Sequence, residues 1–244
     1  MTTLAPPARP ILRVSLRALL GKRRALALLP LNILPIAVAL FSAIHNGGNA
    51  ELRYARLVGQ LLLPFVIALV ALALASASIA DERDDSTIIY LTQTPVPRMA
   101  ILSAKLLATW IATLAVVSPG VAAAFVVDQN AGGGGVIWLV LSVLLTTLAY
   151  SAAFSWLSLR MKRAVLTGIA YIVFWEGSIA SFAPSADRLS ISAYGRVIAK
   201  QGRTDVSWTN APAVAWGTAA IVLLLVSAAA LWLGTRRLER MELP

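Results

Sequence analysis

LVGQLLLPFVIALVALALASASIA, residues Leu57–Ala80, is an apolar run without a single charged side chain. A helix rising 1.5 Å per residue crosses roughly 30 Å of hydrocarbon in about twenty residues, so this run is long enough to span a bilayer. The same length test is passed by Ala25–Ile44, Ile101–Val127, Val136–Leu159, Val165–Phe182 and Ala213–Gly234. Composition agrees. The chain is 59% hydrophobic and 13% charged with mean hydropathy +0.78, whereas soluble domains run at about 45–50% apolar and about 25% charged. An ordinary soluble globule is excluded, and continuous runs of this length exclude a β-barrel, whose segments alternate over about ten residues. The expectation is an all-α integral membrane protein with six transmembrane helices, forming a single domain over residues 1–244.

The net charge of +10 is distributed at the ends of the apolar runs. One side collects Arg9, Arg13, Arg17, Lys22, Arg23, Arg24, Arg83, Arg98, Lys105, Arg160, Lys162, Arg163, Arg236, Arg237 and Arg240; the other holds Arg53, Arg56, Arg188, Arg196, Lys200 and Arg203. Fifteen against six places both termini in the cytoplasm. These cations face anionic lipid at the bilayer surface, so the basic balance implies no nucleic-acid partner. Within residues 10–24, Ile11, Leu12, Leu16, Leu19 and Leu20 recur at helical spacing with Arg13 and Arg17 on another face, the pattern of an interfacial amphipathic helix. With no cysteine and the one histidine, His45, neither thiol chemistry nor a His-based metal cluster is expected.

Pro30, Pro35, Pro64 and Pro119 lie inside the expected spans. Each removes a backbone donor, and in a membrane the carbonyl left over needs a partner from a neighbouring helix or water. Thr109, Thr113, Ser142, Thr146, Thr147 and Ser151 suit close helix packing or, alternatively, a polar path. Trp138, Trp208 and Trp216 fit an interfacial aromatic belt. The segment Asp128–Gly135 reads as a flexible link because of its glycines. The extracytoplasmic loop 184–212 is too long for a turn; Ile191, Tyr194, Val197 and Ile198 suggest a short helix resting on the outer leaflet.

Glu176 is the carboxylate inside a span, six residues before Phe182 and therefore roughly 9 Å from the outer end. Placing it there costs on the order of 2.5–3.5 kcal/mol, so it faces protein or water. It reads two ways: as part of a cargo path or gate, with Trp175 beside it and Gln60 in the second span, or as a structural group that caps a broken helix.

The link ADERDDSTIIYLTQTPVPRMAILSAK, Ala80–Lys105, concentrates charge as no other stretch does. Asp81, Glu82, Asp84 and Asp85 flank Arg83; Asp85-Ser86-Thr87 supplies capping side chains ahead of Ile88–Leu91; Thr94-Pro95-Val96-Pro97-Arg98 ends that run. A short, capped, half-apolar helix at the cytoplasmic surface is expected over residues 81–100. The order of Glu82, Arg83, Asp84, Thr87, Leu91, Thr94, Pro95, Val96, Arg98 and Lys105 resembles the signature of type-two ABC transporter permeases. Ser86, Pro97 and Ala104 depart from the residues usual there. The Trp175-Glu176-Gly177 triplet is similar to the fifth span of a bacterial subset of the family.

What the resemblance implies is a permease in a bacterial inner membrane, working as a dimer with a second copy or a homologous permease, and exporting cargo. Asp81, Glu82, Arg83, Asp84, Asp85, Thr87, Leu91, Thr94, Pro95 and Arg98 would dock an ABC ATPase subunit through a coupling helix. The chain is then not an enzyme: its Gly21-Lys22 pair lacks the upstream glycine of a phosphate-cradling loop, so ATP and Mg belong to the partner subunit. The competing reading is a proton-coupled secondary transporter titrating Glu176.

Overall fold

Each apolar run folds as a helix because backbone buried in lipid must satisfy its own N–H and C=O groups. The computed structural model describes residues 8–21, 26–44, 50–84, 97–130, 135–161, 163–179, 186–202 and 211–240, and among these no strand occurs. The helices are α1 (Ala8–Leu19), α2 (Ile33–Ile44), α3 (Ala50–Arg56), α4 (Ala68–Asp84), α5 (Arg98–Asn130), α6 (Val136–Arg160), α7 (Ala164–Ala170), α8 (Ile191–Lys200) and α9 (Trp216–Arg240). A π-helical stretch, Leu57–Ile67, joins α3 to α4, and a second one, Tyr171–Ile179, continues α7.

Among the described residues, four helices are long and apolar enough to cross a membrane: Leu52–Ser78, Arg98–Asp128, Val136–Arg160 and Trp216–Arg237. The first and fifth expected spans are shorter in the described residues, at Leu26–Phe41 and Ala164–Gly177. The first is interrupted by a 3-10 turn, Leu29–Asn32, with Pro30 near its start. Proline fixes φ and cannot donate, so the chain enters α2 through this tighter turn rather than as one straight rod.

α6 is the hub, packed against α4, α5, α7, α8 and α9. Its buried side chains are largely small or hydroxylated, among them Ser142, Thr146, Thr147, Ala149, Ser151, Ala152, Ser155 and Ser158. Small side chains let helix axes approach where no hydrophobic effect separates helix from lipid. At one end of the bundle, Leu102 of α5, Leu159 of α6 and Leu231 of α9 meet. At the other, Trp138 of α6 meets Trp216 of α9 edge to face at 5.3 Å. Trp208 lies outside the described residues. In α1, Leu12, Leu16 and Leu19 turn toward the core while Arg13 and Arg17 are exposed, so the amphipathic helix is seated on protein, along α5.

The gap that Pro119 leaves inside α5 is met by its own neighbour. Pro119 leaves the Ala115 carbonyl without its i+4 donor, and Ser118 Oγ donates to that carbonyl at 2.8 Å. One residue on, buried Asn32 reaches in from the first apolar segment: its Nδ2 donates to Val116 O at 2.9 Å and its Oδ1 accepts from the Gly120 N–H at 3.2 Å. A Cβ on Gly120 would lie 2.9 Å from Asn32 Oδ1 and 3.2 Å from Leu62 Cδ1, so glycine is what admits the carboxamide.

Two expectations are corrected. Asp128, at the start of the glycine-rich link, is fully buried and accepts from the Gly135 N–H at 3.2 Å, which fixes the start of α6. Residues 131–134 lie outside the described set. The helix of the outer loop, α8, does not rest on the bundle's surface; all of its residues except Tyr194 and Lys200 are buried, and it packs against α6, α9 and the first π stretch. Gly195 makes this possible, because a Cβ there would collide with Thr146 Oγ1, and its carbonyl accepts from Ser142 Oγ at 2.7 Å.

Candidate functional site

Pro64 sits inside the first π stretch. In an α-register its ring would clash with the carbonyl one turn back, and the wider register relieves that clash. The cost moves to another carbonyl, since the nitrogen that would donate to Gly59 O in the i→i+5 register is that of Pro64 itself. Arg196 of α8 fills the gap, donating from Nη1 to Gly59 O at 3.1 Å. The same Nη1 donates to Ser192 Oγ at 3.1 Å, one helical turn back.

Ser192 leads directly to Glu176. Ser190 Oγ donates to Glu176 Oε2 at 2.6 Å and Ser192 Oγ donates to the same oxygen; Tyr171 Oη and the Ile191 N–H each donate to Oε1 at 3.0 Å. Ser190 is the N-cap of α8 and accepts from the Ala193 N–H at 3.2 Å. Glu176 thus sits over the first turn of α8, where the helix dipole and free N–H groups favour an anion. Both side chains are buried, Glu176 at 4% exposure and Arg196 at 6%, and Ser192 bridges them. Phe154 of α6 walls the cluster, stacking on Tyr150 at 5.7 Å and meeting Tyr171 edge to face at 6.2 Å. Gly177 brings the fifth apolar segment onto the first π stretch, since a Cβ there would lie 3.3 Å from Phe65 Cζ.

Of the two readings open for Glu176, the geometry supports the structural one, because its oxygens are occupied by donors of its own chain. Trp175 is half-buried with its indole Nε1 lacking a hydrogen-bond partner, and Gln60 is exposed on the first π stretch.

At the opposite end of α4 lies the second candidate region. The helix runs past Ala80 through Asp81, Glu82, Arg83 and Asp84, so the backbone of the acidic cluster extends the transmembrane rod. Asp85, Thr87, Leu91, Thr94 and Pro95 lie outside the described residues. Arg98 opens α5 and is half-buried. Lys105, 7% exposed, donates from Nζ to Ser78 O at 3.2 Å, tying α5 to α4 just before the acidic turn. This is a buried cation whose apolar stem lies among helices while its ammonium reaches a carbonyl.

Arg196, Ser190, Ser192, Asn32 and Asp128 were not singled out from the sequence as site residues. A signal existed for two of them: Ser192 and Arg196 are four apart, hence on one helical face. For Asn32, an amide between Pro30 and Pro35 in an apolar run was the cue.

Residues 22–183 match the family model described as ABC-2 family transporter protein. No curated protein matches the chain.

Proposed function

Because the chain belongs to the ABC-2 transporter family, and is therefore a multi-pass membrane transport subunit rather than a catalyst, we propose that it is the permease of an ATP-driven exporter in a bacterial inner membrane. The whole chain, residues 1–244, acts as one six-span permease domain with both termini cytoplasmic. Two copies, or this chain and a homologous permease, pair in the bilayer, and each docks an ABC ATPase subunit that carries the ATP and Mg. Asp81, Glu82, Arg83, Asp84, Asp85, Thr87, Leu91, Thr94, Pro95 and Arg98 form the docking segment.

The carrying observation is the unbroken helical rod from Ala50 to Asp84. A force applied at its acidic end is transmitted along one element, and the Lys105 bond to Ser78 O makes α5 move with it. Arg196 then links that rod at Gly59 to α8 and, through Ser192, to the fifth apolar segment. Closure of the ATPases thereby tilts connected helices between inward-open and outward-open states, which is alternating access. The apolar lining suits an amphipathic cargo.

Affinity purification of the tagged chain tests this. An ATP-hydrolysing partner is expected to co-purify, and Glu82→Arg or Arg98→Glu is expected to release it while the permease stays folded. Retention of the partner by both variants, or cargo flux by the permease alone, would overturn the proposal. Flux by the permease alone with loss in Glu176→Gln would establish the proton-coupled alternative.

A further inference from the structure

Where α6 and α9 end side by side, a cleft of about 250 Å³ is lined by Trp156, Arg160, Leu233, Arg236 and Arg237. It lies at the end of the bundle where Leu102, Leu159 and Leu231 meet. Three guanidinium groups share this small space, and none is paired with a carboxylate among the described residues. Unscreened like charges at such separations repel, so the arrangement calls for an anion from outside the chain. Two of the arginines are already oriented. Arg160 stands over the Trp156 ring at 5.8 Å and Arg236 over the Trp232 ring at 3.7 Å. A guanidinium held over a ring by cation–π attraction keeps N–H groups to donate, and a guanidinium can grip a phosphate in bidentate fashion.

The surroundings say what carries the phosphate. Ile221, Leu225 and Trp232 are exposed and fall on the same face of α9 as Arg236, since spacings of four, eleven and fifteen residues from Ile221 return to nearly the same angle. An apolar lane along a membrane-spanning helix thus leads into the arginines. The cleft is smaller than the roughly 300–1,000 Å³ of pockets that enclose drug-sized ligands, so it admits a headgroup with the acyl chains outside.

We propose that this cleft binds the phosphodiester of an anionic phospholipid, with the acyl chains lying on the Ile221–Leu225–Trp232 face of α9. Only the membrane location is needed for this; it stands whether or not the chain exports anything. Basic pockets between transmembrane helices are suited to anionic headgroups, and each arginine at such a surface contributes about a fivefold factor in affinity.

The test is lipid retention by the purified full-length chain in detergent, read by native mass spectrometry with phosphatidylglycerol or phosphatidylcholine. Preferential retention of phosphatidylglycerol is expected. It should weaken about fivefold per arginine removed and roughly a hundredfold in Arg160→Gln/Arg236→Gln/Arg237→Gln. Arg236→Lys keeps the charge at the helix end but loses the fork, so it should fall between wild type and Arg236→Gln; a mere helix-dipole role predicts Lys equal to Arg. If the triple variant does not fold, the three single variants carry the same comparison. Undiminished phosphatidylglycerol retention in the arginine variants would overturn the proposal. So would complete displacement of the lipid by millimolar inorganic phosphate, which marks a site for soluble anions. Loss of a co-purifying ATPase with lipid retention intact would assign the arginines to protein docking and overturn it as well.

Discussion

Arg196 donates to the carbonyl of Gly59 at 3.1 Å, the backbone group that Pro64 leaves without a donor in the π register. The arginine is therefore a prosthesis for a missing backbone hydrogen bond, and Ser192 joins it to Glu176. Removing one member of such a buried set leaves a charge or a dipole without compensation, which costs more than the set itself contributes.

Arg196→Met is expected to destabilise the purified chain by about 3 kcal/mol, measured as detergent-solubilised thermal unfolding. Pro64→Ala restores an N–H that can reach Gly59 O, so the Arg196→Met penalty should shrink by about 1 kcal/mol in that background. Strict additivity of the two substitutions would show that Arg196 does not serve the proline.

Glu176→Ala strips the acceptor from Tyr171, Ser190, Ser192 and the Ile191 N–H together. A loss of about 3 kcal/mol in stability is expected, since unmet buried donors cost about 1–3 kcal/mol each and hydroxyls partly re-pair. Glu176→Gln keeps an acceptor oxygen at the first turn of α8 and should melt closer to wild type than Glu176→Ala. Equal melting temperatures for Ala and Gln would contradict the capping role.

Asn32→Leu is close in volume but leaves Val116 O and the Gly120 N–H without the side-chain partner they have now. We expect a loss of about 2 kcal/mol and faster proteolysis of the first apolar segment, read by limited digestion. Asn32→Asp can accept from Gly120 but cannot donate to Val116 O, and should be no better than Asn32→Leu.

Gly168→Ala places a Cβ against the Leu72 side chain at a separation no real contact sustains. A cost of about 1–3 kcal/mol is expected from overpacking α7 on α4. Leu72→Ala in the same chain makes room, so the double variant should be more stable than the sum of the two singles predicts. A merely additive double variant would mean that α7 does not pack at this point.

Much of the fold was legible because lipid leaves the backbone few options. Ile101–Val127 and Val136–Leu159 are each found within a membrane-length helix, and Leu57–Ala80 and Ala213–Gly234 each overlap one, Leu52–Ser78 and Trp216–Arg237. Glu176 was legible as a carboxylate needing partners, and a capping role for it was one of the readings its position allowed. Arg196 was misplaced. Its neighbours Arg188, Lys200 and Arg203 made the segment look like a charged helix on a leaflet, and nothing local signals that a carbonyl 137 residues earlier requires its guanidinium. Asp128 was hidden for a similar reason: the glycines that follow it resemble a linker until Gly135 is seen donating back to it.

Sequence alone determined which segments are apolar enough to be candidate membrane spans, the charge that begins after Ala80, and the positions where proline breaks the helical ladder. Hydropathy, charge and ring geometry are properties of single residues or short windows, and they act before any packing exists. Only the tertiary structure decided who repairs each break: Asn32 at Gly120, Ser118 at Ala115, Arg196 at Gly59, and α8 beneath Glu176. Inside a membrane, orphaned polar groups satisfy one another across whatever distance in the chain the fold brings together, and that pairing is set by helix packing rather than by neighbourhood in sequence.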